Sequence, residues 1–266
     1  MAVGVGTGKD QGQGQGRGPL LVFDVVGPMA HFRRFYTNSS SLSYPMPPRT
    51  ALMGLIAALL GRERDSYYEA LGMEQAHLGV ALKTPVRSVM QTVNYLATDD
   101  QDWHGVKRRT QIPVEFILPR PPERFLRYRV YMQHRDEGLI NGLYQQLARG
   151  EYCYPLSLGL SECLAWAEHS RLYRPEEVNR VQDPEEPLEV GTAVPLPRLA
   201  ELPPVERLAD RRLLKDRMPL DFDARRRLKA VVDVLWEAEG RPLPLRLRGE
   251  LFRPPDEETY GCFLEL

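Results

Sequence analysis

The residues richest in chemistry run from Gly27 to Ser41: Gly-Pro-Met-Ala-His-Phe-Arg-Arg-Phe-Tyr-Thr-Asn-Ser-Ser-Ser. Arg33 and Arg34 are of the type that pairs with phosphate oxygens, while His31, Thr37 and Asn38 can bond a sugar–phosphate backbone. Phe32, Phe35 and Tyr36 offer flat faces on which bases stack. Basic and aromatic residues interleaved in this way read as a contact for single-stranded RNA. Composition leaves a second reading open, a solvated loop whose aromatics cover a sheet edge. Two further cationic clusters, Lys107-Arg108-Arg109 and Arg225-Arg226-Arg227, are each also compatible with bland placements, a solvated turn and an exposed helix face.

Other chemistries lack their parts. Cys153, Cys163 and Cys262 form no CxxC pair, and the five histidines are dispersed, whereas a structural zinc needs about four clustered ligands. Asp99, Asp100 and Asp102 lack the glycine and terminal glutamate of a calcium loop. Gly4 to Lys9 imitates a phosphate loop, but the Walker spacing requires Gly and Ser/Thr where Val3 and Asp10 stand. No GxSxG elbow and no Ser/His/Asp set is identifiable. Neither a metal nor a cofactor is expected.

The elements that must position these residues are legible as patterns. Leu20 to Val26 is an apolar, β-branched run ended by Gly27-Pro28, which reads as a strand. After the polar loop, Leu52, Leu55, Ile56, Leu59 and Leu60 follow a helical stripe, with Thr50 as a possible N-cap and Gly61 as its end. The first turn of that helix would aim free N–H groups at the same place as the loop, a further site for phosphate. Leu78 to Leu96 and Ile112 to Leu118 read as extended, with a polar tip between them: a hairpin over about residues 85–120. Leu126 to Met132 alternates with period two, a strand with one buried face. A helix with Leu139, Ile140, Leu143 and Leu147 on one side ends at Gly150, and a strand covers Glu162 to Glu168. A second helical stripe is read at Leu228, Val231, Val232, Leu235 and Trp236.

Together these predict an α+β fold of ferredoxin-like (RRM-like) type, with helices on one face of an antiparallel sheet. Residues 1–18 read as a flexible Gly/Gln-rich tail, 19–173 as the RRM-like domain with its projecting hairpin, 174–205 as an acidic, Pro-rich surface crossing, and 206–266 as a C-terminal helix and strands completing the fold.

Composition sets the class. The chain has 266 residues with 35 basic against 36 acidic, a net charge of -1, yet the charge is segregated. Eight Lys/Arg face two Glu between Trp103 and Arg135, whereas six acids face one Arg between Glu176 and Glu189. A basic segment can bind polyanions on a neutral protein. The longest apolar stretch, Ala51 to Leu60, is half of the roughly 20 residues a membrane span needs, so no membrane partner is expected. The cysteine usage suits a reducing cytoplasm.

The block Phe23-Asp24-Val25-Val26-Gly27-Pro28-Met29-Ala30-His31-Phe32-Arg33, then Tyr44-Pro45-Met46-Pro47-Pro48-Arg49-Thr50 and the helix end Leu59-Leu60-Gly61, resembles CRISPR-associated protein family five. The type I-B branch is the nearest in pattern, and Tyr154-Pro155-Leu156-Ser157-Leu158-Gly159 is similar to a later segment of that family. The resemblance implies a RAMP-type protein with an RRM-like domain, a thumb hairpin and a smaller C-terminal β region. It implies a non-catalytic subunit of the Cascade complex in antiviral defence. Such a subunit grips the 5′ tag of the crRNA, contacts the backbone subunit and the large PAM-reading subunit, and meets target DNA only through the complex. Under that resemblance His31, Arg33, Arg34, Thr37, Asn38, Tyr44, Arg49 and Thr50 line the RNA groove, with Lys107, Arg108 and Arg109 on the thumb. One branch is instead a metal-independent endoribonuclease of repeat RNA. Its tyrosine and lysine would match Tyr44 and Lys107 here, while His104 stands three positions upstream of the lysine rather than beside it. A tyrosine with its ordinary pKa of about 10 is a poor base at neutral pH.

Overall fold

A computed structural model describes residues 18–37, 41–96, 109–208 and 210–265. Residues 1–17 of the expected tail, Asn38, His104, Lys107 and Arg108 lie outside the described residues, as does the side chain of Arg109. The first half runs β1 (Leu20–Gly27), β2 (Phe32–Arg33), β3 (Ser43–Tyr44), α1 (Arg49–Leu59), β4 (Ala76–Leu82), β5 (Val86–Leu96), β6 (Arg109–Pro119), β7 (Leu126–His134), α2 (Glu137–Arg149), β8 (Leu156–Ser157) and β9 (Leu164–Tyr173). The second half runs β10 (Asn179–Gln182), β11 (Leu188–Val190), β12 (Val194–Pro195), β13 (Leu199–Glu201), α3 (Val205–Leu208), β14 (Leu213–Phe222), β15 (Leu228–Glu237), β16 (Leu243–Leu247) and β17 (Glu250–Arg253).

The main sheet has the order β4-β7-β1-β9-β8, with antiparallel neighbours throughout. β1 is buried along its whole length because both of its faces are covered. Leu21, Phe23 and Val25 pack with Leu52, Met53 and Ile56 of α1 and with Ile140 and Leu143 of α2. Leu20 and Val22 face the other way, against Val178 and Phe252 of the second half. That is why the sequence shows an unbroken apolar run there rather than an alternation. The exception, Asp24, is buried but charge-paired, accepting from Arg129 Nε at 2.7 Å and Arg127 Nη1 at 3.1 Å. α2 is closed at both ends by its own sequence. The Asp136 carboxylate accepts from the Leu139 N–H, and Gly150 takes a left-handed φ of 65°.

β5 and β6 pair from Val86↔Pro119 to Leu96↔Arg109 and form the hairpin. Its root is stitched to the first loop by reciprocal backbone bonds between Ala30 and Ile117 and by Glu115 N–H to the Ser41 carbonyl.

The helix expected at Leu228 to Trp236 is corrected: this segment is β15, paired with β14 from Leu213↔Glu237 to Phe222↔Leu228. Val232, Val234 and Trp236 are buried at alternate positions, and the β-branched valines suit a pleated surface better than a helix. Arg225-Arg226-Arg227 accordingly sit in the β14–β15 turn. The acidic segment supplies β10 to β13, which pair with β17, β16, β15 and β16 respectively. Thr50 does not cap α1; Pro48 holds that position, with no side-chain bond. All three cysteines are free thiols; Cys163 and Cys262 are buried and Cys153 is exposed.

Candidate nucleic-acid interface

The first loop, the start of α1, the hairpin and the β14–β15 turn enclose a groove of about 510 Å3. Each wall comes from a different stretch of chain. Arg33 and Phe35 contribute from the loop, Thr50 from the first turn of α1, Tyr67 and Tyr68 from the segment after α1, Tyr95 and Ile112 from the hairpin, and Phe222 and Arg226 from β14 and its turn. Gly159 closes the floor at φ +99°, and a Cβ there would stand 1.8 Å from the His31 carbonyl oxygen, so no side chain fits.

The loop residues divide into two sets. His31 is buried, with Nδ1 donating to the Glu115 carbonyl at 2.7 Å and Nε2 hydrogen-bonded to the Ser41 hydroxyl at 2.8 Å, so both ring nitrogens are engaged. Arg34 lies over the Tyr44 ring at 5.3 Å, pairs with Asp216 at 2.8 Å, and donates to the Ser43 carbonyl and the Tyr36 hydroxyl. Thr37 donates its hydroxyl to the Arg34 carbonyl and holds the loop turn. Tyr44 is fully buried and donates to the Arg217 carbonyl; burial pushes its phenol above the ordinary tyrosine value. Arg49 is corrected most sharply. It is wholly buried, ion-paired with Glu265, and donates to the carbonyls of Leu220, Leu71 and Ala76 at 3.1, 3.0 and 2.7 Å. Asp221 lies 3.9 Å from it. The expectation that Tyr44 and Arg49 meet RNA therefore fails, because both groups are spent on internal acceptors.

Arg33 differs: it is exposed, and its one polar contact among the described residues is a 3.5 Å approach to the Thr37 carbonyl. Across the groove Arg226 comes no closer than 4.0 Å to Asp65. Its turn is built for presentation. The Asp223 carboxylate accepts from the N–H groups of Arg225 and Arg227 at 2.9 and 2.8 Å and from Arg227 Nε at 2.7 Å. Those bonds, the Arg227 N–H first, hold the Asp223 carboxyl below its usual value. Arg226 sits at φ 59°, a left-handed position uncommon for a side chain of its size. In the same lining, Phe35 is 43% exposed and meets Tyr36 edge-to-face, and Tyr68 contacts Tyr67 and Phe222 at ring distances of 4.7 and 5.7 Å. Thr50 stands where α1 leaves N–H groups without intrahelical partners.

Two exposed cations and the exposed ring of Phe35 in one groove, beside a helix start, suit a phosphate backbone with unstacked bases. Arg33 and Thr50 come together here as the sequence suggested. Tyr67, Tyr95, Phe222 and Arg226 were missed, and only the arginine triplet carried a signal, misassigned to a helix. Among the described residues no three His, Cys, Asp or Glu side chains gather as a metal site.

Comparison with solved structures gives a 13% identical chain, "Crystal structure of a CRISPR protein from Archaeoglobus fulgidus", with a TM-score of 0.54 over 92% of this chain and 99% of that one. This likeness establishes the shared fold. A chain of a "CRISPR RNA-guided surveillance complex" is 15% identical, with a TM-score of 0.47 over 85% of this chain and 91% of that one. No curated protein matches. The family model described as CRISPR-associated protein (Cas_Cas5) matches residues 20–235, from the first residue of β1 into β15, and takes in every wall of the groove. With most of its length inside that match, the chain belongs to the CRISPR-associated Cas_Cas5 family.

Proposed function

We propose that this protein is a non-catalytic crRNA-binding subunit of a type I Cascade complex, type I-B by its motifs, and that the groove grips the 5′ tag of the crRNA. One observation carries the reading: Arg33 and Arg226 line one groove together with aromatic residues, and among the described residues Arg33 has no ion pair while Arg226 has only a 4.0 Å approach to Asp65. The thumb hairpin forms one wall of that groove, so a strand lying in it touches loop and thumb together. The order β4-β7-β1-β9, with α1 and α2 packed on one face, supports the ferredoxin-like form of the domain. The backbone subunit and the large PAM-reading subunit are its proposed neighbours in a cytoplasmic ribonucleoprotein. Among the described residues no helix is long and apolar enough to cross a membrane.

The proposal is non-catalytic because Tyr44, the matching candidate for the nuclease branch, has its phenol buried and committed to a backbone carbonyl. A proton acceptor must reach the 2′-hydroxyl it activates.

The test is to incubate the purified protein with its repeat RNA in EDTA and to run native and denaturing gels. Uncut RNA that shifts, with the shift lost on removing the 5′ tag, is the expected result. A discrete cleavage product that disappears in Tyr44→Phe would overturn the non-catalytic assignment.

A further inference from the structure

A second groove, of about 900 Å3, opens at the other end of the main sheet. The first groove meets β1 where it ends, beyond Gly27; the second meets it where it begins, at Gly18. Eight strand residues separate the two, a distance of about 25 Å at the rise of a strand. No described residue lines both.

The chemistry of the second groove repeats that of the first with different residues. Arg135, just past β7, and Arg248, in the β16–β17 turn, are exposed, and neither side chain has a hydrogen-bonded or ionic partner among the described residues. Arg198 lies beneath them, only 8% exposed, and donates to the carbonyls of Arg248 at 3.1 Å, Phe263 at 3.3 Å and Glu250. No carboxylate ion-pairs with it among the described residues, so its charge is held by carbonyl dipoles and remains as positive potential at the groove floor. The carboxylates of the lining are largely occupied: Glu265 by Arg49, and Glu250 by Arg180 at 2.5 Å, which leaves Glu137 at the rim. The exposed ring of His77 lies against half-buried Phe263, with centroids 5.6 Å apart and planes 36° from parallel. Cations spaced around a partly open ring pair are the elements of a single-strand nucleic-acid site: charge for the phosphodiesters and flat faces for bases. The volume accommodates a few nucleotides rather than one small anion.

We infer that this second groove binds a single-stranded stretch of nucleic acid, so that the subunit holds two stretches of phosphodiester chain at opposite ends of β1. The inference does not depend on the 5′-tag assignment, since it concerns other residues.

The experiment uses the full chain with the first groove disabled by Arg33→Glu/Arg226→Glu. Fluorescent 12-mers of uridine and of thymidine, each with one 5-iodo pyrimidine, serve as probes. Binding should persist, and adding Arg135→Ala/Arg248→Ala should weaken it about ten-fold. Losing two phosphate contacts should lower the slope of log affinity on log salt by about 1.4. Photocrosslinks should map to the peptides holding His77 or Phe263, and His77→Ala should reduce their yield. Uridine and thymidine probes bound alike mean that the backbone is read, and preference for one identifies the strand as RNA or DNA. The inference is overturned if Arg33→Glu/Arg226→Glu abolishes all binding, or if Arg135→Ala/Arg248→Ala changes nothing. It is equally overturned if a poly-glutamate 12-mer binds this face in place of either probe, which would assign it to an acidic protein segment. Loss of tag binding in Arg33→Glu/Arg226→Glu with the second site intact would bear only on the first groove.

Discussion

Arg49 and Arg226 are the same residue type near the same groove, and the protein treats them in opposite ways. Arg49 is sealed among Glu265, Asp221 and three carbonyls, whereas Arg226 stands on a turn at a left-handed φ and among the described residues comes no nearer a carboxylate than 4.0 Å. One charge is consumed in holding α1 against β4, β14 and the C-terminal segment; the other is the one proposed to meet RNA. The number of internal acceptors within reach, rather than residue type or position along the chain, separates a structural cation from a binding one.

The contrast is broken hardest at Arg49. Arg49→Ala leaves Glu265 and Asp221 buried without their cation and should cost about 3–5 kcal/mol in urea denaturation. Arg49→Lys should restore only part of this, because one ammonium cannot reproduce the fork that reaches four elements. The opposite arm is Arg33→Ala/Arg226→Ala. Both side chains are exposed, so stability should stay within about 0.5 kcal/mol. Affinity for tag RNA should fall about thirty-fold at roughly 1 kcal/mol per contact, as read by a filter or gel titration.

Smaller effects sharpen the same division. Tyr44→Phe removes a buried bond to the Arg217 carbonyl and should cost about 1 kcal/mol in thermal unfolding, with RNA binding unchanged. Among carboxylates, Glu237 is the counterpart of Arg49. Burial raises its carboxyl, but the N–H groups of Arg241, Arg212 and Glu239, with the Arg241 guanidinium, outweigh this and hold it below its ordinary value of 4.5. Its charged form is therefore the one the fold favours. That contribution is complete above pH 4.5 and fades as pH falls through the lower folded value. Glu237→Gln should be less stable than the parent by about 1 kcal/mol at pH 7, with the gap closing as acid is added, as followed by urea titrations at successive pH values.

The sequence was informative where the physics is local. β1, α1 and α2 announce themselves through an apolar run, a stripe and a Gly end, because their burial follows from period alone. β15 was misread because Leu228, Val231, Val232, Leu235 and Trp236 satisfy a helical spacing while alternating valines satisfy a strand; the partner β14 decides between them. The loop singled out in the sequence, Gly27 to Ser41, does line the groove, yet most polar groups from His31 to Tyr44 turn inward to Glu115, Ser41, Asp216 and Arg217. Those partners lie as far as 173 residues away, beyond any spacing rule. Tyr67, Tyr95 and the Phe222–Arg226 pair belong to three separate segments, so the aromatic lining exists only once the chain is folded.

The Arg49–Glu265 pair joins positions 216 residues apart. Contacts of such sequence separation are slow to find, because the intervening chain must be closed before they give anything back. On refolding, α1 and the hairpin can assemble from nearer neighbours, but the start of α1 lacks its carboxylate until the C-terminal segment has docked. Competence to bind RNA is thus expected to return with the slowest kinetic phase rather than with the bulk of secondary structure.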